Sequence, residues 1–201
     1  MTDDARRYAP SATRNRDIIL KTLSKHLPAR GNVLEIASGT GEHVMHIAAA
    51  HPGLIFQPSD PDPDSRASID AWIHHLGVKN VAPAIQADTA RSIRLPNGFD
   101  VIMCINMIHI APWSAAVGLM RNAAAMLPTG GLLYLYGPYR RGGNHTAASN
   151  EAFDADLKTR NLEWGVRDLE AVAAVASDHG FSAPVVEEMP ANNLSVVFRK
   201  L

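Results

Sequence analysis

The chain has 201 residues, 46% of them hydrophobic and 19% charged, proportions that exclude a disordered chain and supply one α/β core. Its formal net charge of −1 gives no field to draw nucleic acid, although Arg6, Arg7, Arg14 and Arg16 make the first segment locally basic, which reads as a solvated or lid-forming arm. The single cysteine, Cys104, lies inside the apolar run 101–105, so an internal disulfide is excluded and a buried thiol in a reducing compartment is expected.

In chain order, Ile18, Ile19, Leu20, Leu23 and Leu27 recur at helical spacing and predict a helix over residues 13–26, stopped by Pro28 and Gly31. Residues 33–36 predict a first strand and 42–50 its helix, with Val44, Ile47 and Ala48 on the buried side. Residues 54–57 predict a second strand that ends at Ser59-Asp60. An amphipathic helix over 64–76, through Ile69, Trp72, Ile73 and Leu76 and closed by Gly77, leads to a third strand over 81–86 ending at Asp88. The nearly continuous apolar run 99–105 is the expected middle strand of a parallel sheet covered on both faces.

A helix over 114–127, a fifth strand over 132–136 and a long polar loop over 137–149 follow. Helices over 150–160 and 168–179 come next, the second capped by Asp168 and stopped by Gly180. Strands over 184–188 and 194–199 are joined by so short a link that they must form an antiparallel hairpin. The expectation is a single α/β domain over residues 1–201. It is a Rossmann-like, doubly wound sheet of seven strands, mostly parallel with a C-terminal antiparallel hairpin and helices on both faces.

The most informative run is Val33-Leu34-Glu35-Ile36-Ala37-Ser38-Gly39-Thr40-Gly41-Glu42-His43, an apolar strand with an acidic residue and a glycine-rich turn that opens a helix. Gly39 and Gly41 can take φ > 0 and let a ligand approach the backbone, while the N–H groups at the helix start face the same space. A dinucleotide loop needs G-x-G-x-x-G, and its last glycine falls on Val44, so the hydride-transfer reading lacks a required element. Glu35 suits instead the ammonium of S-adenosylmethionine (SAM). Ligands of an open parallel sheet lie outside the carboxyl ends of its strands, and here every strand ends in polar residues: the glycine loop, Asp60, Asp88, Asn106 with His109, and Tyr136 with Tyr139. Asp60 suits the two hydroxyls of a ribose and Asp88 an adenine amino group; an Asp before Pro61 also suits a turn or a helix cap.

The run 33–41, with Asp60, Asp88 and Phe99-Asp100 at these spacings, resembles the class I SAM-dependent methyltransferases. Longer phrases are similar to an uncharacterised domain-of-unknown-function branch grouped with methyltransferase-like proteins, over nearly the whole chain. They are Leu34-Glu35-Ile36-Ala37-Ser38-Gly39-Thr40-Gly41, Gln57-Pro58-Ser59-Asp60, Asn106-Met107-Ile108-His109-Ile110, Leu135-Tyr136-Gly137-Pro138-Tyr139, Trp164-Gly165-Val166-Arg167-Asp168-Leu169-Glu170 and Met189-Pro190-Ala191-Asn192-Asn193-Leu194. The resemblance implies SAM as cofactor and leaves the methyl acceptor open. Ala37 stands where most such loops have their first glycine, and its methyl group is expected to fit an ordinary strand-end conformation. The implied cofactor-binding set is Arg14, Glu35, Ala37, Ser38, Gly39, Gly41, Asp60, Asp88 and Asn106, with Arg14 closing over the cofactor's carboxylate because its fork binds carboxylate bidentately.

Methyl transfer is an in-line displacement at a sulfonium methyl, so the protein must align the reactants and exclude water. A hydroxyl or ammonium acceptor must also lose a proton, which makes His109, His145 and Tyr139 the expected catalytic residues; a histidine packed in the core is the other reading of His109. Tyr139, Arg140, Asn144, Ser149 and Asn150 offer a substrate wall with Trp164 and Arg167, although Trp164 alone reads as a core residue. His43 and His46 are three apart and His74-His75 adjacent, but no cysteine or carboxylate cluster completes a tetrahedral set, so no metal is expected and solvated helix faces account for most histidines.

Enzymes that methylate exocyclic amines of nucleic acids carry an Asn or Asp-Pro-Pro-aromatic tetrad where this chain has Asn106-Met107-Ile108-His109. The start of the chain shows no signal-peptide pattern, and no apolar run approaches the ~20 residues of a membrane helix. The sequence therefore predicts a cytoplasmic methyltransferase, monomer or homodimer, with a small-molecule substrate and neither nucleic acid nor membrane as partner. The alternative is a SAM-binding sensor or interaction protein without transfer activity.

Overall fold

Helix α1 (Pro10–Leu23) begins three residues before the predicted start, because Pro10 is pre-set for a first helical turn whose N–H groups have no helical partner. In the computed structural model, which describes residues 5–93, 95 and 98–201, it is followed by β1 (Gly31–Ile36), α2 (Glu42–Ala50), β2 (Leu54–Ser59) and α3 (Pro63–Leu76). Then come β3 (Val101–Ile105), α4 (Trp113–Met126), β4 (Leu132–Pro138), the short β5 (Arg140–Arg141) and β6 (Asn144–His145), α5 (Ala148–Arg160), α6 (Leu169–Asp178), β7 (Val185–Met189) and β8 (Asn193–Arg199).

The main sheet has six strands in the order β2-β1-β3-β4-β8-β7. The first four run parallel, and β8 runs antiparallel to both β4 and β7, so the C-terminal hairpin lies where the short link requires. Every position of β3 is buried, as the continuous apolar run of the middle strand demands. One face of the sheet packs Leu34, Ile102, Leu133 and Phe198 against Leu119 of α4 and Val172 of α6; the other packs Val33, Met103, Tyr134 and Val197 with Ile19 of α1 and Ile47 of α2. Cys104 is buried on the first face, where burial pushes its thiol well above the ordinary range and leaves it inert. Among the described residues no helix is long and apolar enough to cross a membrane.

Two expectations are corrected. The sheet has six strands rather than seven, because the segment 81–86 runs along β2 without becoming a ladder. It bridges β2 only at Phe56–Val81 and Ser59–Ile85. Pro58 and Pro83 have no N–H to give; the Ala84 N–H turns to the Asp70 carboxylate, and the ladder resumes when the Ile85 N–H reaches the Pro58 carbonyl. The segment still delivers residues 87–90 to the carboxyl edge of the sheet. The predicted loop over 137–149 is not irregular either: β4 runs into it, β5 and β6 pair Arg140 with His145 and Arg141 with Asn144, and α5 starts at Ala148. Residues 1–4, part of the segment read as free of a signal-peptide pattern, lie outside the described residues.

Candidate functional site

A cleft of about 620 Å³ opens at the carboxyl ends of β1, β2 and β3, within the ~300–1,000 Å³ typical of small-molecule sites. Ala37 and Gly39, Asp60 and Asp88 all line it, so four of the nine residues assigned to a cofactor converge on one cavity. The loop that carries the first two is pinned from below. Ser38 donates its N–H to the Ser59 carbonyl at 2.9 Å, its hydroxyl accepts the Ser59 N–H at 3.2 Å, and its carbonyl accepts the Gly41 N–H at 3.0 Å. Ser38 is thus a buried tie between β1 and β2 and does not line the cleft.

Ala37 does not hold the ordinary strand-end conformation expected of it; its φ is +56°, in the left-handed region that costs an alanine ~1–2 kcal/mol. The pinned residue after it enforces the bend. The two glycines of the loop differ in purpose. Gly39, with φ +57°, has open space where a Cβ would stand, which is the surface a ligand can approach. At Gly41, with φ +93°, a Cβ would sit 3.2 Å from Ile69 Cγ1, so this glycine lets α3 pack on the start of α2 and does not line the cleft.

Asp60 makes the turn and lines the cleft at once. Its Oδ2 accepts the Gly39 N–H and its Oδ1 the Asp62 N–H, each at 2.9 Å, so it joins the two loops that flank the cavity. Burial raises its carboxyl above the usual range, and these two backbone donors pull it back. Asp88 is half-buried, turned through its Oδ1 to the Ala90 N–H at 3.0 Å.

The basic arm keeps Arg7 and Arg14 exposed, yet it is docked. The Arg7 guanidinium pairs with Asp62 at 3.3 Å and Asp64 at 2.8 Å, and the Arg7 N–H donates to the Ser68 hydroxyl, which donates in turn to the Thr40 carbonyl. Glu42 accepts from the Ala9 N–H and the Thr13 hydroxyl. The arm braces the glycine loop through Ser68 and Glu42.

Glu35 lies behind the loop, 2% exposed, with no partner for its Oε2 among the described residues. Burial pushes its carboxyl up to about 7, the Ser38 hydroxyl opposes the rise, and the Asp60 charge adds to it. The native carboxyl therefore binds its proton more tightly than the unfolded one, whose value is 4.5. The stability this group contributes is fully present below about pH 4.5 and is lost as pH rises through about 7. Glu35→Gln is expected to match the wild type at pH 4.5 and to exceed it at pH 8 by on the order of 2 kcal/mol, read from urea unfolding at the two pH values. Equal differences at both would overturn it.

The model of the family described as "Protein of unknown function (DUF938)" matches residues 6–200. The chain belongs to this family. Its fold is also that of an O-methyltransferase family protein from Burkholderia thailandensis, with a TM-score of 0.81 at 18% identity, covering 94% of this chain and 57% of that one. Human N-acetylserotonin methyltransferase in complex with SAM gives 0.78 at 13% identity, covering 94% and 52%. A methyltransferase in calicheamicin biosynthesis, in its S-adenosylhomocysteine (SAH) form, gives 0.77 at 16%, covering 95% and 54%. The chain spans a little over half the length of these structures, and at such identities the likeness establishes the fold.

In this DUF938 chain the remaining candidates stand apart from the cleft. His109 is fully buried, and its Nδ1 accepts the Arg167 N–H at 3.3 Å. Its Nε2 has no partner among the described residues and lies 2.5 Å from where a Cβ on Gly137 would be. Burial, reinforced by the Arg167 charge, lowers its pKa to about 3. Tyr139 is also fully buried, edge-on to His109 at 5.1 Å, and burial raises its hydroxyl well above the usual range. His145 pairs with Asp154 at 3.4 Å. Asn106 holds a left-handed φ of +64° and starts the turn toward His109, but its neighbours Ile105 and Met107 are the ones that line the cleft. Arg14 is exposed on α1 and lines no part of it. His43 is no solvated residue: burial between α1 and α2 lowers it to about 4, and His46 reaches Asp17 at 2.8 Å. Among the described residues no three His, Cys, Asp or Glu side chains gather to hold a metal.

Trp164, expected in a substrate wall with Arg167 and, taken alone, in the core, is half-buried and lines the cleft. Arg167 explains how it is placed. Its guanidinium donates to the carbonyls of Ile108 at 2.8 Å, Ala111 at 2.6 Å and Glu163 at 2.8 Å, stapling the loop after β3 to the segment that carries Trp164. The Gly165 N–H adds a bond to the His109 carbonyl at 2.9 Å. Arg167→Ala is expected to lower stability by about 2 kcal/mol, because several charge-assisted bonds to carbonyls are lost together. Urea unfolding checks this, and a change within experimental error would show that the staple is idle.

Proposed function

We propose that the chain transfers a methyl group from SAM to a small-molecule acceptor by in-line displacement. The observation that carries this reading is the convergence of Ala37, Gly39, Asp60 and Asp88 on one cleft at the carboxyl edge of a parallel sheet. The methyltransferases of the same fold, one holding SAM and one SAH, support the cofactor.

The residues fit that group. Each Asp60 oxygen accepts one backbone N–H and keeps a lone pair for a ribose hydroxyl. Asp88 offers an acceptor for the adenine amino group and Gly39 leaves space for close approach, while Glu35 is buried behind the loop and outside the cleft lining. When bound, SAM supplies a methyl group on a sulfonium, an electrophile that needs no enzyme nucleophile.

The protein's own work is to bind, orient and dry. Ile105, Met107, Ala111 and Ala115 line the cleft with apolar surface and keep water from the reacting atoms. We assign His109, Tyr139 and His145 to holding the walls rather than to proton transfer. What supports this is their absence from the cleft lining and, for His109, a ring nitrogen committed to the Arg167 N–H. Localisation in the cytoplasm, as monomer or homodimer and without nucleic acid, completes the reading.

The test is label transfer from methyl-labelled SAM into a metabolite extract, comparing the wild type with Asp60→Ala. Label in a small molecule with the wild type only is expected. Equal transfer by both proteins would sink the site assignment, and no transfer by a wild type that binds SAM would sink the reaction.

A further inference from the structure

The geometry points to Trp164 as a stacking platform for the methyl acceptor, and to a planar, uncharged aromatic compound as the acceptor; this rests on the proposed methyl transfer. The cleft has two chemically distinct ends. Its carboxylates, Asp60 and Asp88, sit on the loops after β2 and after the edge segment, while Trp164 belongs to the wall tied to the loop after β3 with Ile110 and Pro112. Ile110 is 43% exposed at that end, and among the described residues no charged side chain lines it.

The indole is presented rather than merely adjacent. The Arg160 guanidinium lies 5.1 Å from its ring centroid and does not itself line the cleft, which leaves the other face of the indole free for a ligand. The backbone around it is held from both sides. The Trp164 N–H bonds to the Asn161 carbonyl, the Gly165 N–H to the His109 carbonyl, and the Val166 N–H to the buried carboxylate of Asp154 at 2.7 Å. His145 and Lys158 fix that carboxylate in turn. A backbone held in this way limits the entropy lost when a ligand stacks on the indole it carries.

Charge selects the ligand class. Asp60 and Asp88 repel an anionic acceptor, and Arg160 already occupies the indole, so its charge opposes a second cation on the other face. A neutral aromatic ring has neither penalty and gains the offset or edge-on contact with the indole. A phenolic hydroxyl on such a ring binds uncharged, and as its oxygen takes the methyl from the sulfonium its proton passes to solvent at the cleft mouth, which suits a lining that holds no histidine among the described residues.

The test titrates the wild type, Trp164→Leu and Trp164→Phe with naphthol and with its saturated counterpart decahydronaphthol, by calorimetry, with and without saturating SAH. Naphthol is expected to bind the wild type about 5- to 10-fold more tightly than decahydronaphthol, and Trp164→Leu to erase that preference while Trp164→Phe keeps most of it. Fluorine NMR of fluorotryptophan-labelled protein gives a second reading: the Trp164 resonance, identified by its loss in Trp164→Phe, moves with naphthol. Equal affinity for the two compounds, or a stationary resonance, would overturn the platform. So would Trp164→Leu losing SAH affinity while keeping the naphthol preference, since the indole would then serve the cofactor. A wild type that binds naphthol selectively but no SAH would defeat the cofactor reading and leave the platform standing.

Discussion

Asp60→Ala is expected to lower the affinity for SAH by about 30- to 100-fold, the equivalent of ~2–3 kcal/mol from hydrogen bonds to one charged group. Two losses add. The carboxylate would give its remaining lone pairs to the ribose, and it also ties the Gly39 N–H to the Asp62 N–H across the mouth of the cleft. Asp60→Asn separates them. An amide offers only one oxygen, so its NH2 group must face one of two backbone donors, and the loop loosens although the volume is kept. Asp60→Asn is therefore expected to lose about tenfold in affinity and to melt below the wild type. An Asp60→Asn protein with wild-type SAH affinity would show that the carboxylate is only a turn former.

The largest effect on stability is expected from Gly118→Ala. Glycine in the middle of α4 is costly unless something comes too close for a side chain, and here a Cβ would stand 1.9 Å from the carbonyl oxygen of Thr89. The neighbour is backbone and cannot swing away. It is held further by Asn122, one turn along the helix, which donates to the carbonyls of Thr89 and Arg91 and accepts the Ile93 N–H. An alanine must push α4 away from the turn that carries Asp88, at a cost of about 3 kcal/mol or more. For a chain of this size that is a fall in Tm of roughly 6–12 °C, and scanning calorimetry would read it directly. SAH affinity is expected to fall with it, since Asp88 and Thr89 line the cleft. A Gly118→Ala protein that melts within a degree of the wild type would contradict the packing described.

What was legible in the sequence was what neighbours in sequence decide. The run from Glu35 to Gly41 announces a strand, a tight turn and a helix start by local chemistry, and the structure builds them there. That Asp60 would stand at the cleft was readable because strand ends and clefts coincide in parallel sheets. The features that were not readable depend on partners far along the chain. The absent donors of Pro58 and Pro83 matter only once the two segments lie side by side, so the third strand was expected where an edge segment stands. Ala37 is bent by Ser38 holding on to Ser59, a residue of the next strand.

His109 shows the same limit in the site. Its place after β3 suggested a base, yet the segment around Gly165 and Arg167 closes over it from more than fifty residues away. Trp164 is the converse case. Its burial was expected from its type, and only the Arg167 staple, joining Glu163 to Ala111, makes it a wall of the cleft. The sole sequence signal for that wall was the run of residues 164–170, whose role no local pattern reveals. Gly118 gave no signal at all, because the carbonyl it accommodates belongs to Thr89.

The central claim is that the cleft between the glycine loop, Asp60 and Asp88 holds the adenosine and methionine parts of SAM. Calorimetric titration of the wild-type chain with SAH tests it most directly. One site per chain is expected, in the ~1 μM to 1 mM range common for enzyme ligands, and abolished or strongly weakened in Asp60→Ala. No heat of binding from a folded wild-type protein, or equal binding by wild type and Asp60→Ala, would contradict it.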